Sequence, residues 1–464
     1  MQIKIALPKG RLLKQTADLL RLAGWDISGY TEDTRFYRLQ SGAFPGLSAK
    51  VFHEKDIPIQ VAIGNYDLGI CGLDWIEELL AKYPSSAVVK VKDLGYDTTA
   101  LYVAASETAA QKRQTVDTAV RIASEYPNLA ESFALKSRLR HFNIFPVWGA
   151  AEAYPPENAD LALLAGRTGQ ELFNGNLVAL TKVLDSSAYL VANRDSWQSK
   201  DMSRILGPVY LNLGKLAPAS ATVSERHPRR RAVATDTEAV RLALPDGHQQ
   251  KPAVELLNKA GIKMNDYPSP TGNRRPGIDL PGVVVKVIRP QDMPLQVANG
   301  NFDLALTGRD WLRDHLYKFP SSPAVEVLDL KFGWVKIVAV VSNELPVKDI
   351  YSLRQLAAHR EAPFRVASEY VNIADKYARD NRLGMYRVIP TWGATEAFLP
   401  DDADLLIENT QTGRTLASHN LKIVDTLFES TACLVSNAET LKSGKAKRIE
   451  SVAALLRRAV EDAS

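Results

Sequence analysis

The chain has 464 residues, of which 45% are hydrophobic and 24% charged, and its formal net charge is only +4. This length predicts about three domains, and the composition is that of a folded globular protein. No apolar run approaches the roughly 20 residues that span a bilayer, and the N-terminus lacks the basic-then-apolar order of a secretion signal. Cys71 and Cys433 are too few for a disulfide framework or a cysteine-based zinc site. We therefore expect a cytoplasmic protein with buried thiols and no membrane association.

One dense basic cluster occurs, at residues 226–231. No aromatic side chains interleave with it, as they would in a surface that binds single-stranded nucleic acid. The cluster is more typical of a solvated linker. Together with the small net charge, it favours a protein without a nucleic-acid partner.

The hydrophobic pattern alternates short strands with amphipathic helices from the N-terminus onward. It predicts a strand at residues 3–7 and a helix at 12–22, then a buried strand at 67–70 and a helix at 74–80. A strand at 120–123 follows, with a turn and a further helix after it. Such alternation is expected of parallel sheets with crossover helices, which form Rossmann-like lobes with a ligand cleft between them.

The sequence repeats itself at a long interval. GNYDLGICGLDW at 64–75 returns as GNFDLALTGRDW at 300–311, and extending this window to Ser86 gives 12 identities in 23 ungapped positions. Two further matches are RIASEYPNL at 121–129 with RVASEYVNI at 365–373, and WGAAE at 148–152 with WGATE at 392–396. Repeats this long are whole domain pairs, so the two copies imitate a homodimer within one chain.

The repeat predicts the domain organisation. The first copy is expected at 1–215 (lobe I at 1–104 and 178–215, lobe II at 105–177), a linker at 216–234, and the second copy at 235–464 (lobe I at 235–342 and 422–464, lobe II at 343–421). The linker assignment rests on a stretch rich in Pro, Ala, Ser and Arg.

The segment ADLLIENTQTGRTL at 403–416 carries the clearest chemical signal. An apolar strand ends at Glu408, a turn follows, and a helix is expected to begin near Thr415. Backbone N–H groups at such a turn can bind a phosphate, and Gly413 would let the backbone approach the anion. Thr412 and Thr415 can donate hydroxyl hydrogen bonds, while Glu408 can accept from a pair of sugar hydroxyls. An ordinary capped turn is the alternative interpretation.

This strand, acid and TGRTL turn resemble the phosphoribosyl-diphosphate loop of ATP phosphoribosyltransferases, which open histidine biosynthesis. Other segments are similar to further motifs of the family, in the family's order: ALPKGRL at 6–12, RIASEYPNL at 121–129, RPQDMP at 289–294, LALTGRD at 304–310 and STACL at 430–434. The resemblance implies an α/β fold, a tandem duplication of a two-lobed unit with mixed sheets like that of type II periplasmic binding proteins. It also implies that ATP and phosphoribosyl diphosphate are the substrates.

The resemblance implies roles for individual residues. Glu408 would hold the ribose hydroxyls, and the 5-phosphate would be held by Thr410, Thr412, Gly413, Arg414 and Thr415. Catalytic positive charge would come from Lys9, Arg11 and Arg289. Contacts with ATP are expected from Arg35, Arg274, Thr307, Gly308, Tyr370 and Glu396. Magnesium would be carried mainly by the diphosphate of the substrate and not by a metal site built from the protein.

The first copy departs from this pattern at the phosphate loop. Leu164 stands where the second copy has Glu408, and Glu171 stands where it has Thr415. Leucine cannot bind sugar hydroxyls, and a carboxylate repels a phosphate. We therefore expect the loop of the first copy not to bind phosphoribosyl diphosphate.

The second copy departs at the basic turn after its first strand. Asp246 replaces Lys9 and His248 replaces Arg11, although this copy keeps Arg289. Lysine and arginine at the carboxyl end of a strand suit diphosphates, and aspartate does not. Because the losses are complementary, they favour one site assembled from both copies. Relaxed drift in a half that only serves as a scaffold is the alternative.

The resemblance is to the short form of the family, since only 29 residues follow Val435. Short forms work with a regulatory partner that resembles histidyl-tRNA synthetase. The sequence leaves open whether this chain needs such a partner and whether it forms a higher homo-oligomer. Two other functions are considered, an inactive duplicate that regulates a separate enzyme and a cytoplasmic solute-binding protein. Retention of Glu408 and the TGRT turn favours the enzyme.

Overall fold

A computed structural model describes residues 2–31, 37–107, 119–167, 177–216, 238–270 and 272–462. The chain divides into two compact units. Unit 1 comprises Met1–Pro146, Ala159–His227 and Thr391–Phe398, and unit 2 comprises Val147–Asn158, Pro228–Pro390 and Leu399–Ser464. Each unit therefore takes most of its residues from one copy and a short segment from the other.

Unit 1 contains strands and helices in the predicted alternation. Its strands are β1 (Ile3–Pro8), β2 (Arg38–Gln40), β3 (Leu47–Phe52), β4 (Leu68–Gly72), β5 (Val88–Asp93), β6 (Thr99–Ser106), β7 (Val120–Ser124), β8 (Phe142–Pro146), β9 (Leu161–Gly166), β10 (Leu177–Ser186) and β11 (Ala188–Asn193). Its helices are α1 (Leu13–Leu22), α2 (Asp56–Ala62), α3 (Leu73–Lys82), α4 (Pro127–Lys136), α5 (Arg194–Ser199) and α6 (Ser203–Asn212).

Two mixed sheets form unit 1. The strand order is β2-β3-β1-β4-β11-β5 in lobe I and β10-β6-β9-β7-β8 in lobe II. β1 runs parallel to β3 and β4, whereas β11 is antiparallel to its neighbours. In lobe II, β7 is parallel to β8 and β9, whereas β6 is antiparallel to β9 and β10. The alternation of strands and helices thus predicted the parallel core of each sheet and missed the antiparallel strands.

Unit 2 repeats this architecture. Its strands are β12 (Val240–Pro245), β13 (Met264–Asn265), β14 (Gly277–Ile278), β15 (Val283–Ile288), β16 (Leu304–Gly308), β17 (Ala324–Asp329), β18 (Val335–Ser342), β19 (Phe364–Ser368), β20 (Tyr386–Pro390), β21 (Leu405–Thr410), β22 (Leu421–Ser430) and β23 (Ala432–Asn437). Its helices are α7 (Gln250–Lys259), α8 (Met293–Ala298), α9 (Arg309–Lys318), α10 (Ile350–Ala358), α11 (Val371–Asp380), α12 (Arg414–Ser418) and α13 (Ala446–Glu461). Short 3-10 turns lie at Gly10–Leu12, Ala151–Ala153, Gly247–Gln249, Thr395–Phe398 and Thr440–Lys442.

The sheet orders establish the duplication. The order β15-β12-β16-β23-β17 corresponds strand for strand to β3-β1-β4-β11-β5, and β20-β19-β21-β18-β22 corresponds to β8-β7-β9-β6-β10. The chain is therefore a tandem duplication of a two-lobed α/β unit with mixed sheets.

Burial explains why the central strands contain consecutive apolar residues. Ile5, Ala6 and Leu7 of β1 are all completely buried, because β1 lies inside its sheet with neighbours on both sides. The helix α1 instead buries one face, through Leu13, Leu19 and other residues at helical spacing. The predicted strand at 3–7 and helix at 12–22 are confirmed to within one residue at either end.

The lobe boundaries differ from the predicted ones. β6 and β10 pair with each other along their whole lengths in the sheet of lobe II, and β18 and β22 do the same. The predicted boundaries at 104/105 and 342/343 instead assign most of β6 and all of β18 to lobe I. These strands pair across about 80 residues of sequence, so local periodicity gives no sign of the sheet to which they belong.

A second difference is the position of the segment Val147–Asn158. It comes from lobe II of the first copy but lies in unit 2. There the Glu157 carboxylate pairs with Arg275 Nη1 and Lys286 Nζ, both at 2.8 Å. Burial by itself would raise the pKa of Glu157. Hydrogen bonds from Arg275 and the charge of Lys286 outweigh burial and lower this pKa to about 2. The segment is thus anchored by a carboxylate that remains charged.

The corresponding segment Thr391–Phe398 of the second copy lies in unit 1. Its Phe398 ring meets the ring of Phe52 edge to face, with 5.3 Å between centroids. Both rings are completely buried. Each unit is therefore completed by a piece of the other copy.

Removal of the Glu157 anchor tests this arrangement. Glu157→Ala leaves the cations of Arg275 and Lys286 partly buried without their carboxylate, so we expect the free energy of unfolding to fall by about 2 to 3 kcal/mol. Denaturant unfolding of the wild type and the variant measures this change. Glu131→Ala, on the exposed side of α4, is the control and should change stability by less than about 0.5 kcal/mol. Equal stability of both variants would contradict the anchoring role.

Candidate active site

Strand register places Leu164 at the position of Glu408. Glu408 in β21 lies opposite Val338 in β18, and Leu164 in β9 lies opposite Tyr102 in β6. In each copy the fourth residue of one strand faces the fourth residue of the other. The loss of the carboxylate in the first copy is therefore a substitution at an equivalent backbone position. Glu171, the second predicted loss, lies outside the described residues.

The turn after β21 is tight. Gly413 has φ of +71°, a conformation that glycine adopts without strain. Its N–H donates to Thr410 Oγ1 at 2.9 Å, so the Thr410 hydroxyl holds the turn. Thr412, Arg414 and Thr415 are exposed and lie where a phosphate can reach them.

The helix at this turn differs from the prediction. It is α12, which begins at Arg414, one residue before the predicted Thr415, and has only five residues. A helix this short has a weak dipole. Anion binding here would therefore depend on exposed hydroxyls, backbone N–H groups and Arg414.

The turn is connected to lobe I through Tyr370. Asn409 Nδ2 donates to Tyr370 Oη at 3.1 Å, and Tyr370 Oη donates to Asp310 Oδ2 at 2.5 Å. The Tyr370 ring also stacks on Trp311 with 4.2 Å between centroids. Burial and the neighbouring Asp310 carboxylate raise the pKa of Tyr370 well above its ordinary value. Tyr370 is therefore a permanent hydrogen-bond donor between the lobes.

Three of the predicted ATP contacts have structural roles. Tyr370 is only 1% exposed, so it offers no surface for an adenine ring. Thr307 is completely buried and its hydroxyl donates to the carbonyl of Pro290 at 2.8 Å. A Cβ atom at Gly308 would lie 2.1 Å from Asp310 Oδ1. Gly308 is therefore required for packing at the start of α9, because a side chain there would collide with the buried carboxylate.

Two arginines surround Asp246. Asp246 Oδ2 accepts from Arg274 Nη1 at 2.7 Å, and Asp246 Oδ1 accepts from Arg289 Nη1 at 3.0 Å. Arg274 Nε also donates to Glu152 Oε1 at 2.9 Å. Burial opposes the charge of Arg274, but Glu152 and Asp246 outweigh burial and raise its pKa. The aspartate that replaces a lysine is thus neutralised, and Arg289 keeps a side chain that is 43% exposed.

Backbone pairing resolves the region in which the copies align only with gaps. Val51 N–H donates to the Tyr37 carbonyl, and Val287 N–H donates to the Arg274 carbonyl. Arg274 therefore corresponds to Tyr37, whose hydroxyl lies 3.5 Å from Lys9 Nζ. The pair of Lys9 and Tyr37 in unit 1 becomes Asp246 and Arg274 in unit 2. Arg35 lies outside the described residues.

Arg11 is surrounded by carboxylates. Its guanidinium pairs with Glu54 and Asp74 at 3.1 Å and with Asp97 at 3.0 Å. Burial by itself would lower the pKa of Arg11, but Asp74 and Glu54 raise it above the ordinary value. Three carboxylates surround one cation, so this cluster has excess negative charge. The predicted catalytic role of Arg11 neglected these partners, which lie 43 or more positions away in the sequence.

Glu396, the last predicted ATP contact, lies in the Thr395–Phe398 turn of unit 1. It is therefore not part of the unit that contains the Glu408 turn. Its duplicate Glu152 lies in unit 2 and pairs with Arg274. The recurrence of this glutamate in the WGAAE and WGATE segments is the sequence signal that points to Glu152.

Within the described ranges, no three His, Cys, Asp or Glu side chains are grouped as a metal site requires. No helix in the same ranges is long and apolar enough to cross a bilayer.

The acidic cluster around Arg11 predicts a pH dependence of stability. Burial, together with Asp74 and Asp97, raises the pKa of Glu54 from 4.5 to about 7 despite the opposing charge of Arg11. Between these pH values the folded state binds a proton that the unfolded state lacks, so the free energy of unfolding falls as pH rises from 4.5 to 7.

Glu54→Gln removes this contribution. Relative to the wild type, we expect the variant to gain up to about 3 kcal/mol of unfolding free energy between pH 5 and pH 8. Denaturant unfolding of both proteins at the two pH values measures the change. In the control Glu131→Gln, the free energy of unfolding should differ from that of the wild type by the same amount at both pH values. If Glu54→Gln also showed a difference that does not change with pH, the raised pKa of Glu54 would be contradicted.

The model of the family described as HisG: ATP phosphoribosyltransferase matches residues 53–209 and 289–458. An ATP phosphoribosyltransferase of Chlorobium phaeovibrioides is 32% identical over 235 residues, which are 49% of this chain and 74% of that protein. The one of Chlorobium chlorochromatii is 31% identical over 233 residues, 48% of this chain and 72% of that protein.

Among solved structures, the chain is similar to one described as the ATP phosphoribosyl transferase (HisG:HisZ) complex from Thermotoga maritima. The identity is 22% and the TM-score 0.39, with 46% of this chain and 98% of that chain covered.

Proposed function

Because this chain belongs to the ATP phosphoribosyltransferase family, with a family match in each copy, we propose that it catalyses the first step of histidine biosynthesis. It joins ATP to phosphoribosyl diphosphate and releases phosphoribosyl-ATP and diphosphate. We place the working site in unit 2. The observation that carries this choice is that unit 2 combines the Glu408 turn with Arg289, a half-exposed arginine paired with Asp246, whereas unit 1 has Leu164 and an Arg11 surrounded by three carboxylates.

A series of contacts in unit 2 supports this choice. Asn409, next to Glu408, bonds to Tyr370, and Tyr370 stacks on Trp311. Trp311 lies 5.8 Å from Trp148 between ring centroids, and the next residue, Gly149, lies against Arg289. A series of contacts through Tyr370, Trp311 and Trp148 therefore connects the turn with the arginine.

The proposed residues act by positioning and by charge. A ring nitrogen of ATP attacks ribose C1 as the diphosphate departs, so the transition state carries positive charge on the ribose and negative charge on the leaving group. Glu408 accepts hydrogen bonds from the ribose hydroxyls, next to the developing cation. Thr412, Arg414 and Thr415 hold the 5-phosphate, and Arg289 stabilises the departing diphosphate. No protein nucleophile is required, since orientation and charge lower the barrier.

Magnesium enters this proposal as part of the substrate. Bound to the diphosphate, the ion neutralises charge on the leaving group. Because the described residues offer no metal cluster, we assign no protein ligand to the ion.

The dependence of activity on a regulatory partner can be measured directly. The Thermotoga maritima protein was solved in a HisG:HisZ complex. Product formation by this chain should therefore be measured alone and with a subunit that resembles histidyl-tRNA synthetase.

Phosphoribosyl-ATP formation from ATP, phosphoribosyl diphosphate and magnesium tests the function and the turn together. We expect the wild type to form product and both Glu408→Gln and Thr415→Ala to lower kcat/KM at least about a hundredfold, since a charge-assisted contact contributes some 3 kcal/mol. Glu131→Gln is the matched loss of a carboxylate and should be silent. A folded wild type that forms no product under either condition would overturn the function. Normal activity of Glu408→Gln would overturn only the assignment of the turn.

Substitutions of the basic residues in the two copies should have different effects on activity. Arg289→Ala should lower kcat/KM at least about a hundredfold, because it removes a cation from the leaving group. Lys9→Ala should lower it less than about threefold, since Lys9 belongs to the unit that lacks the carboxylate of Glu408. Steady-state kinetics of both variants provide the comparison. A loss from Lys9→Ala as large as that from Arg289→Ala would instead establish a site shared between the basic turn of the first copy and the phosphate loop of the second.

A further inference from the structure

Four side chains of alternating charge form a chain in unit 2. Glu152 contacts Arg274 at 2.9 Å, Arg274 contacts Asp246 at 2.7 Å, and Asp246 contacts Arg289 at 3.0 Å. The central aspartate has a side chain only 9% exposed, whereas the terminal Glu152 and Arg289 are 37% and 43% exposed. The ends of the chain meet solvent while its middle is buried, so each central contact is stronger than a surface ion pair.

Glu152 is held firmly at its end of this chain. It lies in the 3-10 turn Ala151–Ala153, which follows Ala150 at φ of +59°. Four positions earlier in the chain, Trp148 N–H donates to both carboxylate oxygens of Asp292 at 3.0 Å. The segment that carries Glu152 is therefore anchored before it by Trp148 and after it by the pairs of Glu157 with Arg275 and Lys286, so Glu152 can orient its partner.

The same segment also confines Arg289 directly. A Cβ atom at Gly149 would lie 2.8 Å from Arg289 Nε. The backbone of the first copy therefore passes against the guanidinium, and Asp246 accepts a hydrogen bond from its Nη1. Arg289 is positioned through two contacts, one of them dependent on Arg274 and Glu152.

We propose that Glu152, which the first copy contributes to unit 2, is a positioning residue for Arg289 that acts through Arg274 and Asp246. This inference rests on the proposed function. Glu152 accepts a hydrogen bond from Arg274, so that Arg274 occupies only one carboxylate oxygen of Asp246. The other oxygen of Asp246 is then free to accept from Arg289. The first copy thereby takes part in catalysis even though its own strand carries Leu164 in place of Glu408.

Glu152→Gln tests the role with little change of shape. The amide keeps one acceptor for Arg274 but loses the charge, so we expect kcat to fall about tenfold while KM for phosphoribosyl diphosphate changes less than about threefold. A residue needed only for folding would lower stability without this selective loss of kcat. The control is Glu131→Gln, which makes the same change of charge at an exposed position of the first copy. Thermal unfolding of both variants should agree within about 3 °C.

A double-mutant cycle tests the route. If Glu152 acts through Arg274, Glu152→Gln combined with Arg274→Gln should be within about twofold of Arg274→Gln alone. Glu152→Asp keeps the charge and should retain at least about three times the kcat of Glu152→Gln. It also serves as the informative variant if Glu152→Gln does not fold.

The outcomes separate this inference from the proposed function. An active wild type with Glu152→Gln equal to Glu131→Gln, or with additive losses in the cycle, overturns the positioning role and leaves the function intact. A folded wild type that forms no phosphoribosyl-ATP overturns both. The tenfold loss of kcat with non-additivity supports the inference.

Discussion

A buried carboxylate needs hydrogen-bond partners, and in each copy one such carboxylate joins the two lobes. In unit 2, Asp310 accepts from Tyr370 Oη in lobe II and from Ser430 Oγ at the end of β22, the strand that leads back to lobe I. In unit 1, Asp74 accepts from Tyr126 Oη, and its N–H donates to Ser186 Oγ. Because these partners come from the other lobe and from the connection between lobes, one side chain links the two lobes of each copy.

The two copies differ most at this point. Arg11 gives Asp74 a cation, but the same guanidinium then attracts Glu54 and Asp97. The resulting cluster can stabilise unit 1, yet it compensates the charge of Arg11, while Lys9 in the same basic turn is exposed. In the second copy His248 stands at the position of Arg11, and Asp310 relies on neutral hydroxyl donors. In unit 2 the arginines Arg274 and Arg289 lie around Asp246 and not around Asp310.

Fusion explains how such divergence can be tolerated. In a symmetric homodimer every substitution appears at both sites, so a harmful change affects all of the activity. In a fused pair one copy can lose its ligand groups while the other keeps them. The segments Val147–Asn158 and Thr391–Phe398 limit this freedom, since each completes the unit of the other copy. A copy without a working loop must therefore still fold and still supply its segment.

The sequence by itself determined the duplication, the α/β class, the central strands and the substitutions at Leu164 and Asp246, because these follow from local periodicity and from ungapped identity between copies. Only the tertiary structure decided what surrounds each charge. The carboxylates around Arg11 and the arginines around Asp246 come from distant parts of the chain. The membership of Val147–Asn158 in unit 2 was likewise invisible, since twelve residues carry no sign of the surface on which they pack. Burial and electrostatic pairing depend on distance in space and not on distance in sequence. Sequence alone therefore marks the replacement of lysine by Asp246 as a loss of charge, whereas in the folded chain Asp246 lies between the cations of Arg274 and Arg289.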